Sequence, residues 1–347
     1  MNASDTSHHR WLWTGIILTG LFVLVPLLLS LAGRSYFYQI ANTIMIFALL
    51  AASMHLVTGV AGLLQLGHAA FYGIGGYCAA LLATHFKLSF VVTIPLAGMM
   101  AGLIAFLVAV PTMRLVSIYF AVATLGIGQM LHVITLNWVP VTKGPNGILL
   151  FGGMKVFDID FSKPVPAYYL VAVIVAACIY VIHCLSHSYY GNALRALRED
   201  DQCADAMGIN TPRLKLESFT VSGFFAGVAG ALWAHTAGYI SPADFNFNVS
   251  ILILSMVVLG GLGSLPGSIL GAIILIGLPE VLREFKAGDF RNIIIGIVLF
   301  GVILFQPRGL IGEVSALDFI RNQFGLGRKA KNDANKTDGK QMRVGWL

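Results

Sequence analysis

His183 and His187 stand four residues apart with Cys184 between them, a spacing that puts two imidazoles on one helix face and could offer two ligands to a metal ion. No carboxylate lies close in sequence, and the group closes an apolar run, where rings of this kind pack at a membrane interface. Interfacial packing is the better reading, and no metal site is expected. His8-His9 reads as part of a mobile terminus. The chain shows no G-x-S-x-G, H-E-x-x-H or comparable nucleophile or acid–base constellation, so it is not expected to be an enzyme. Nor does any lysine sit in a G-x-x-x-x-G-K-[ST] loop able to cradle phosphates. No cofactor is expected, and if energy is used, another chain supplies it.

The densest charge in the interior of the sequence lies in GNALRALREDDQCADAMGINTPRLK, residues 191–215. A single amphipathic helix fits this stretch poorly, because Asp200 would fall in the middle of the arc formed by Ala193, Leu197, Ala204 and Met207. Two short helices fit better. Asn192 is expected to cap the first, with Arg195 and Arg198 in its last turn against the negative end of the helix dipole. Asp200 or Asp201 is expected to cap the second, which runs to Met207 and ends at Gly208, with Pro212 preventing continuation. The break falls at Glu199-Asp-Asp201, giving a charged helical elbow with a small apolar face from Ala204 and Met207. Helices this short need something to pack against, either their own bundle or a docked protein.

The elements around this elbow are apolar. Of 347 residues 57% are hydrophobic and 11% charged, and the mean hydropathy is +0.81, outside the range of soluble domains. Runs near the 20 residues that cross a bilayer recur between short polar breaks. They place spans at about 11–32, 38–58, 68–84, 90–111, 116–138, 167–186, 216–238, 249–263, 266–282 and 291–306. The expectation is an all-α integral membrane protein of about ten transmembrane helices, with the short pair around Gly263 forming either two crossings or one re-entrant unit. The first run is too long for the apolar core of a signal peptide and is read as a retained span. Residues 1–10 form the N-terminus, 11–306 the membrane domain with its polar loop at 187–215, and 307–347 a basic tail, disordered at its end. Cys78, Cys178, Cys184 and Cys203 show no C-x-x-C spacing, so no disulfide framework is expected.

Eight of the 22 lysines and arginines follow Gln306. A basic tail behind a membrane span is what the positive-inside rule leads one to expect, so both termini and the 191–215 loop are assigned to the cytoplasm and no nucleic-acid partner is invoked. Val139 to Pro166 is then the largest external loop, with a turn-forming run at Lys143-Gly-Pro-Asn-Gly147.

No Asp, Glu, Lys or Arg lies deep within any of these spans, whereas transporters coupled to ions keep such groups inside the bundle. Uncharged polar residues do occur there or beside them, and Gln65, His68, Thr124, Gln129 and His132 are candidates to line a path for a small polar solute. Helix-to-helix hydrogen bonding is the competing reading for each. Gly59 and Gly62, and later Gly261, Gly263 and Pro266, break helices at related points, as segments bordering a substrate path do. Close packing between helices explains the same glycines.

Several of these stretches resemble one family. Ala196-Leu-Arg-Glu-Asp-Asp201 followed by Ala204-Asp-Ala-Met-Gly-Ile209 resembles the cytoplasmic loop of permease subunits of branched-chain amino acid ABC transporters, of the LivM type. Gly62-Leu-Leu-Gln-Leu-Gly-His-Ala-Ala-Phe71 with Gly73-Ile-Gly-Gly-Tyr77 looks like the family's early signature. Val258-Leu-Gly-Gly-Leu-Gly263 with Pro266-Gly267, and then Pro307-Arg-Gly-Leu-Ile-Gly312, resemble its late ones. The resemblance covers residues 38–312 in order. It implies an ATP-driven importer in the bacterial inner membrane, in which this chain pairs with a LivH-like permease, two cytoplasmic ATPases bind the ATP, and a periplasmic binding protein delivers the solute. The 191–215 loop would then receive ATPase motion through Arg195, Arg198, Glu199, Asp200, Asp201, Ala204, Asp205 and Gly208. In the importer motif E-A-A-x-x-x-G the stretch Gln202-Cys-Ala-Asp-Ala-Met-Gly208 keeps Ala204 and Gly208 but has Gln202 for the leading Glu. Branched-chain or other hydrophobic amino acids are the solutes the resemblance implies first, with urea, short amides and other small carboxylates as alternatives. From the residues alone, a passive channel for a small neutral solute stays open.

Overall fold

The computed structural model describes residues 35–113, 115, 117–150, 155–156, 159–160, 163–284 and 296. Among these it is mostly helical. Helix α1 (Ser35–Met54) continues into a π-helical segment, His55–Val60, and an irregular connection leads to α2 (His68–His85). Then come α3 (Phe90–Thr112), α4 (Ser117–Asn137), the one-turn α5 (Val139–Thr142) and α6 (Pro164–Ser186). Two short helices, α7 (Tyr189–Glu199) and α8 (Asp201–Ala206), precede the long α9 (Thr211–Ala237), and α10 (Phe247–Gly260) and α11 (Leu265–Glu284) close the described chain.

Six helical segments are long and apolar enough to cross a membrane: Tyr36–Val60, Phe90–Thr112, Tyr119–Asn137, Pro164–Ser186, Thr211–Ala237 and Pro242–Gly260. Ten crossings are therefore not confirmed. The expected spans at 11–32 and 291–306 lie outside the described residues. Of the eight expected between them, α2 falls short in apolarity, while the described stretch of α11, Leu265–Glu280, is apolar but shorter than a crossing. For α2 an inner position explains this. His68, Tyr72, Gly73, Gly75, Gly76 and Tyr77 are buried, His68 against Ser53 of α1, Gly75 and the Tyr72 carbonyl against Gly227 and Gly230 of α9, and Gly73 and Tyr77 against Phe245, so these residues meet protein and not lipid. Helix α11 runs antiparallel to α1, where Tyr36 donates a 2.5 Å hydrogen bond to Glu280. It thus returns to the level at which α1 begins.

The centre of the bundle is the sandwich of α9 between α2 and α3, built on small residues. A Cβ at Gly75 would lie 2.2 Å from the Gly227 carbonyl oxygen, and one at Gly227 would lie 2.4 Å from the Ala101 Cβ. Helices approach this closely in a membrane only where side chains are absent or minimal, and dispersion between their backbones supplies the adhesion. Around this seam pack Ile46, Leu49, Leu50, Met54, Phe71, Tyr72, Phe219 and Leu232. Helices α3, α4 and α6 instead expose Leu103, Leu107, Val122, Met130 and Val173, an apolar surface suited to lipid.

At the end of the bundle remote from α7 and α8, the sequence 143–147 turns as its glycines require. Lys143 has φ +61°, Gly144 +58° and Gly147 +64°. The all-α class fits, and four two-residue strands accompany the helices here: Ile148–Leu149 (β1) pairs antiparallel with Tyr239–Ile240 (β4), and Lys155–Val156 (β2) with Ile159–Asp160 (β3). β1 and β4 lie far apart in sequence, with four helices between them, so no local pattern announces their pairing.

Candidate functional site

The elbow forms as two capped helices. Asp200 adopts an extended conformation between them, φ −159° and ψ 115°, and its carboxylate accepts hydrogen bonds from the backbone N–H groups of Gln202 at 2.8 Å and Cys203 at 2.9 Å. Those bonds, Cys203 first, hold its carboxyl below the ordinary carboxylate value. Beyond α8, Gly208 takes φ +84° and Ile209 N–H reaches back to the Ala204 carbonyl at 3.1 Å, the glycine-terminated exit expected from the sequence.

Three expectations about the elbow are corrected. Its first cap is Ser188 and not Asn192, because α7 starts four residues earlier, directly behind α6. Gly191 permits that start, since a Cβ there would lie 2.1 Å from the Ser186 carbonyl oxygen. Asn192 instead accepts a hydrogen bond from Arg195 at 2.9 Å on the same helix. Met207 does not join Ala204 on a packing face: Ala204 is buried, while Met207 is 83% exposed at the end of α8. The inward face of the elbow is Gly191, Leu194, Leu197 and Ala204. And Pro212 does more than stop α8, since it lies in the first turn of α9, capped by Asn210, whose side chain accepts from Arg213 N–H at 3.1 Å.

Two charged side chains fasten the elbow to the bundle. Arg198 donates to the Gly59 carbonyl oxygen at 2.7 Å, and Lys215, almost buried on α9, pairs with Asp201 of α8. Sequence reasoning passed over Lys215, whose only signal was a cation in the first turns of an otherwise apolar helix. Glu199, Gln202, Cys203, Asp205 and Gly208 remain exposed on the outer face.

Gly59 lies inside the π segment, and the chain leaves helical geometry beyond it, with Gly62 at φ +72°. Helices α10 and α11 are joined through Gly261 at φ +112° and Gly263 at φ +102°, with Pro266 in the first turn of α11. A Cβ on Gly260 would lie 2.1 Å from the Gly267 carbonyl oxygen, so the joint is as closely packed as the α2–α9 seam.

The polar candidates separate into two groups. Gln65, His68 and Thr124 are buried and brace the 61–67 connection. Thr124 Oγ1 accepts from Leu66 N–H at 3.2 Å, and His68 Nε2 is 2.9 Å from Ser53 Oγ. The Gln65 carboxamide is completely buried, with neither polar atom hydrogen-bonded among the described residues. Gln129 lies elsewhere, on the wall of a narrow cleft formed by Leu66, Gly67, Ala70, Leu125, Gly128, Phe245, Asn246, Phe247 and Ser250. His132 stacks edge-on against Phe245, centroids 6.2 Å apart. Sequence reasoning missed Asn246 and Ser250. Asn246 caps α10 by accepting from Val249 N–H at 3.2 Å, and Ser250 accepts from Ala69 N–H at 3.0 Å in the first turn of α2. An Asn before an apolar run was a readable cap signal, but the partner of Ser250 is 181 residues away.

The cleft carries no charge. Its polar lining is Gln129, Asn246 and Ser250, and the space between them is no wider than a water molecule. The two interacting rings of His183 and His187, centroids 4.1 Å apart, lie at the elbow end of α6. Among the described residues no group of three or more His, Cys, Asp or Glu side chains is placed to hold a metal ion.

Comparison with known proteins places this architecture. Residues 36–303 match the family described as branched-chain amino acid transport system, permease component. The chain is 36% identical over 296 residues to the high-affinity branched-chain amino acid transport system permease protein LivM of Escherichia coli K12, covering 79% of this chain and 69% of that protein. It is 27% identical over 287 residues to LivH of the same organism, covering 77% and 91%, and 25% identical over 301 residues to BraD of Pseudomonas aeruginosa, covering 80% and 96%. No solved structure matches it. The chain belongs to the family of branched-chain amino acid transport system permease components.

Proposed function

We propose that this chain is one of the two permease subunits of an ATP-driven importer that moves branched-chain or related hydrophobic amino acids into the cytoplasm. Its partners are a LivH-like permease, two ATPases docked beneath the elbow and a binding protein on the outer side, with both termini of this chain on the ATPase side of the inner membrane. The observation that carries the reading is the elbow itself. A pair of short, separately capped helices stands at one end of an apolar bundle with Glu199, Gln202, Asp205 and Gly208 outward, and is fastened from behind by Arg198 and Lys215. A rigid, charged and exposed knob is what a docked motor protein needs to grip. The names of the LivM, LivH and BraD relatives supply the solute class.

Within the chain, the work is conformational. The end of the 61–67 connection and the α10 cap both line an uncharged cleft and are joined by the Ala69 N–H bond to Ser250, so transport requires this contact to open while the α2–α9 seam holds. An uncharged lining favours release, because a solute that binds nowhere strongly is not trapped. Reconstitution of the complete complex in proteoliposomes tests the proposal. Labelled leucine should accumulate against its gradient only with ATP, the ATPases and the binding protein present. Partner-free equilibration through this chain would overturn it in favour of a passive channel, and uptake of urea or a short amide in place of leucine would overturn the solute assignment.

A further inference from the structure

The elbow touches the membrane domain at a point where the backbone is already irregular. Residues 55–60 are π-helical, a geometry that leaves the local ladder weakened and recurs at functional sites. Beyond it, Ala61 N–H bonds the Leu56 carbonyl at 3.2 Å and Leu63 N–H the Val57 carbonyl at 3.0 Å. Gly59 lies in the last turn, where carbonyls lack a partner along the helix, and its oxygen receives the Arg198 guanidinium at 2.7 Å. A cation at this position meets the negative end of the helix, and its hydrogen bond is charge-assisted.

The contact is doubled by packing. Gly62, turned at φ +72°, comes so close to the same arginine that a Cβ would lie 2.7 Å from Arg198 Cγ. From there only Leu63, Leu64 and Gln65 separate it from the cleft, with Leu63 and Gln65 buried and Leu64 exposed. Leu66 N–H is fixed to Thr124 Oγ1, a Cβ at Gly67 would lie 2.2 Å from the Thr124 carbonyl oxygen, and Leu66 and Gly67 are part of the cleft wall. The path from Arg198 to that wall is therefore three residues long. By contrast, the Asp201–Lys215 pair leads to the start of α9, whose far half is locked in the glycine seam.

We propose that Arg198 is a positioning residue that transmits displacement of the elbow, through the Gly59 carbonyl and the 61–67 connection, to the wall of the cleft. The inference rests on the importer reading above and adds to it the route inside the membrane domain. The charges of the elbow then have separate roles: Arg198, though partly open to solvent, is bonded to the Gly59 carbonyl and transmits, while Glu199 and Asp205 are left for the ATPase.

The test uses the complete complex in proteoliposomes and measures leucine uptake and ATP hydrolysis on the same preparation. Arg198→Ala should keep ATPase copurification and hydrolysis while uptake per ATP falls at least about tenfold, the factor that losing a hydrogen bond from a charged donor produces. Arg198→Lys, whose ammonium can still donate to a carbonyl, should recover a substantial part of the ratio. Arg213→Ala, which removes only an exposed pair with Glu217 on the first turns of α9, should leave it unchanged. An unchanged ratio in Arg198→Ala overturns the proposal. So does loss of ATPase copurification in both Arg198 variants, which would make the residue a docking contact. Absence of ATP-dependent uptake by the unmodified complex would instead overturn the importer reading.

Discussion

Replacing Gly230 by alanine should damage the centre of the bundle with a single methyl group. The added Cβ would lie 1.9 Å from the Tyr72 carbonyl oxygen and 2.7 Å from Gly76 N. Both obstacles are backbone atoms inside α2, so no side-chain rotation relieves them. Reaching even the 3.0 Å limit of real Cβ contacts requires α2 and α9 to part by about 1.1 Å along that line. A gap of about 0.5–1 Å already forfeits a quarter to a half of the dispersion attraction between facing atoms, and the seam has little besides dispersion to hold it. The expected cost is at the upper end of overpacking penalties, about 3 kcal/mol. In thermal unfolding of the purified protein in detergent this corresponds to a midpoint lowered by roughly 5–10 °C. Gly126→Ala is the control. It lies on α4 with nothing within 4 Å of its Cβ position, so its midpoint should stay at or slightly above that of the unmodified protein. Equal midpoints for the two variants would refute the packing account of the seam.

Two further outcomes follow from the elbow. Asp200 has its carboxyl pKa lowered by the cap hydrogen bonds, so its contribution to α8 is complete above the ordinary value of 3.8 and is lost as pH falls through the lowered folded value. Hydrogen exchange of the 203–206 amides should therefore stay slow from neutral pH down to about that value once corrected for intrinsic rates; Asp200→Ala should speed it throughout that range and converge with the unmodified protein below it, and an early loss near neutrality would contradict the cap. Asp201→Asn leaves the nearly buried Lys215 without its counter-charge and should destabilise by about 1–3 kcal/mol, below the range for a fully buried pair because Asp201 is about half exposed. Lys215→Met in the same background should restore most of the loss in denaturant unfolding, and failure to restore it would show that the pair is not what holds α8 to α9.

The capped ends of α8 were legible in the chain because they depend on atoms two or three residues apart. An Asp followed by a short apolar-faced turn and a Gly contains its own hydrogen-bonding instructions. The cap of α7 was not legible in this way: Asn192 was expected and Ser188 was missed. Both residue types can accept the bond, and the choice fell to the tight approach of Gly191 to the end of α6. Met207 was misassigned for a related reason: a helical wheel gives its direction, but not whether a neighbour covers that direction. Gln65, His68 and Thr124 were recognisable as polar residues in apolar surroundings. Whether they face a path or brace a loop depended on what packs over them.

The membrane class, the positions of most spans, the glycine turns at Gly62 and Gly261–Gly263, the split elbow and the family could all be read from the order of residues, since composition, local capping and glycine backbone freedom act over a few residues. Folding in three dimensions was needed to shelter α2 in the bundle, to bury Lys215 against Asp201, to bring Ser250 to the start of α2, and to turn Arg198 to the Gly59 carbonyl. The side-chain contacts among these join partners from 14 to 181 residues apart, and such a partner is chosen by how whole helices pack, which no local pattern contains.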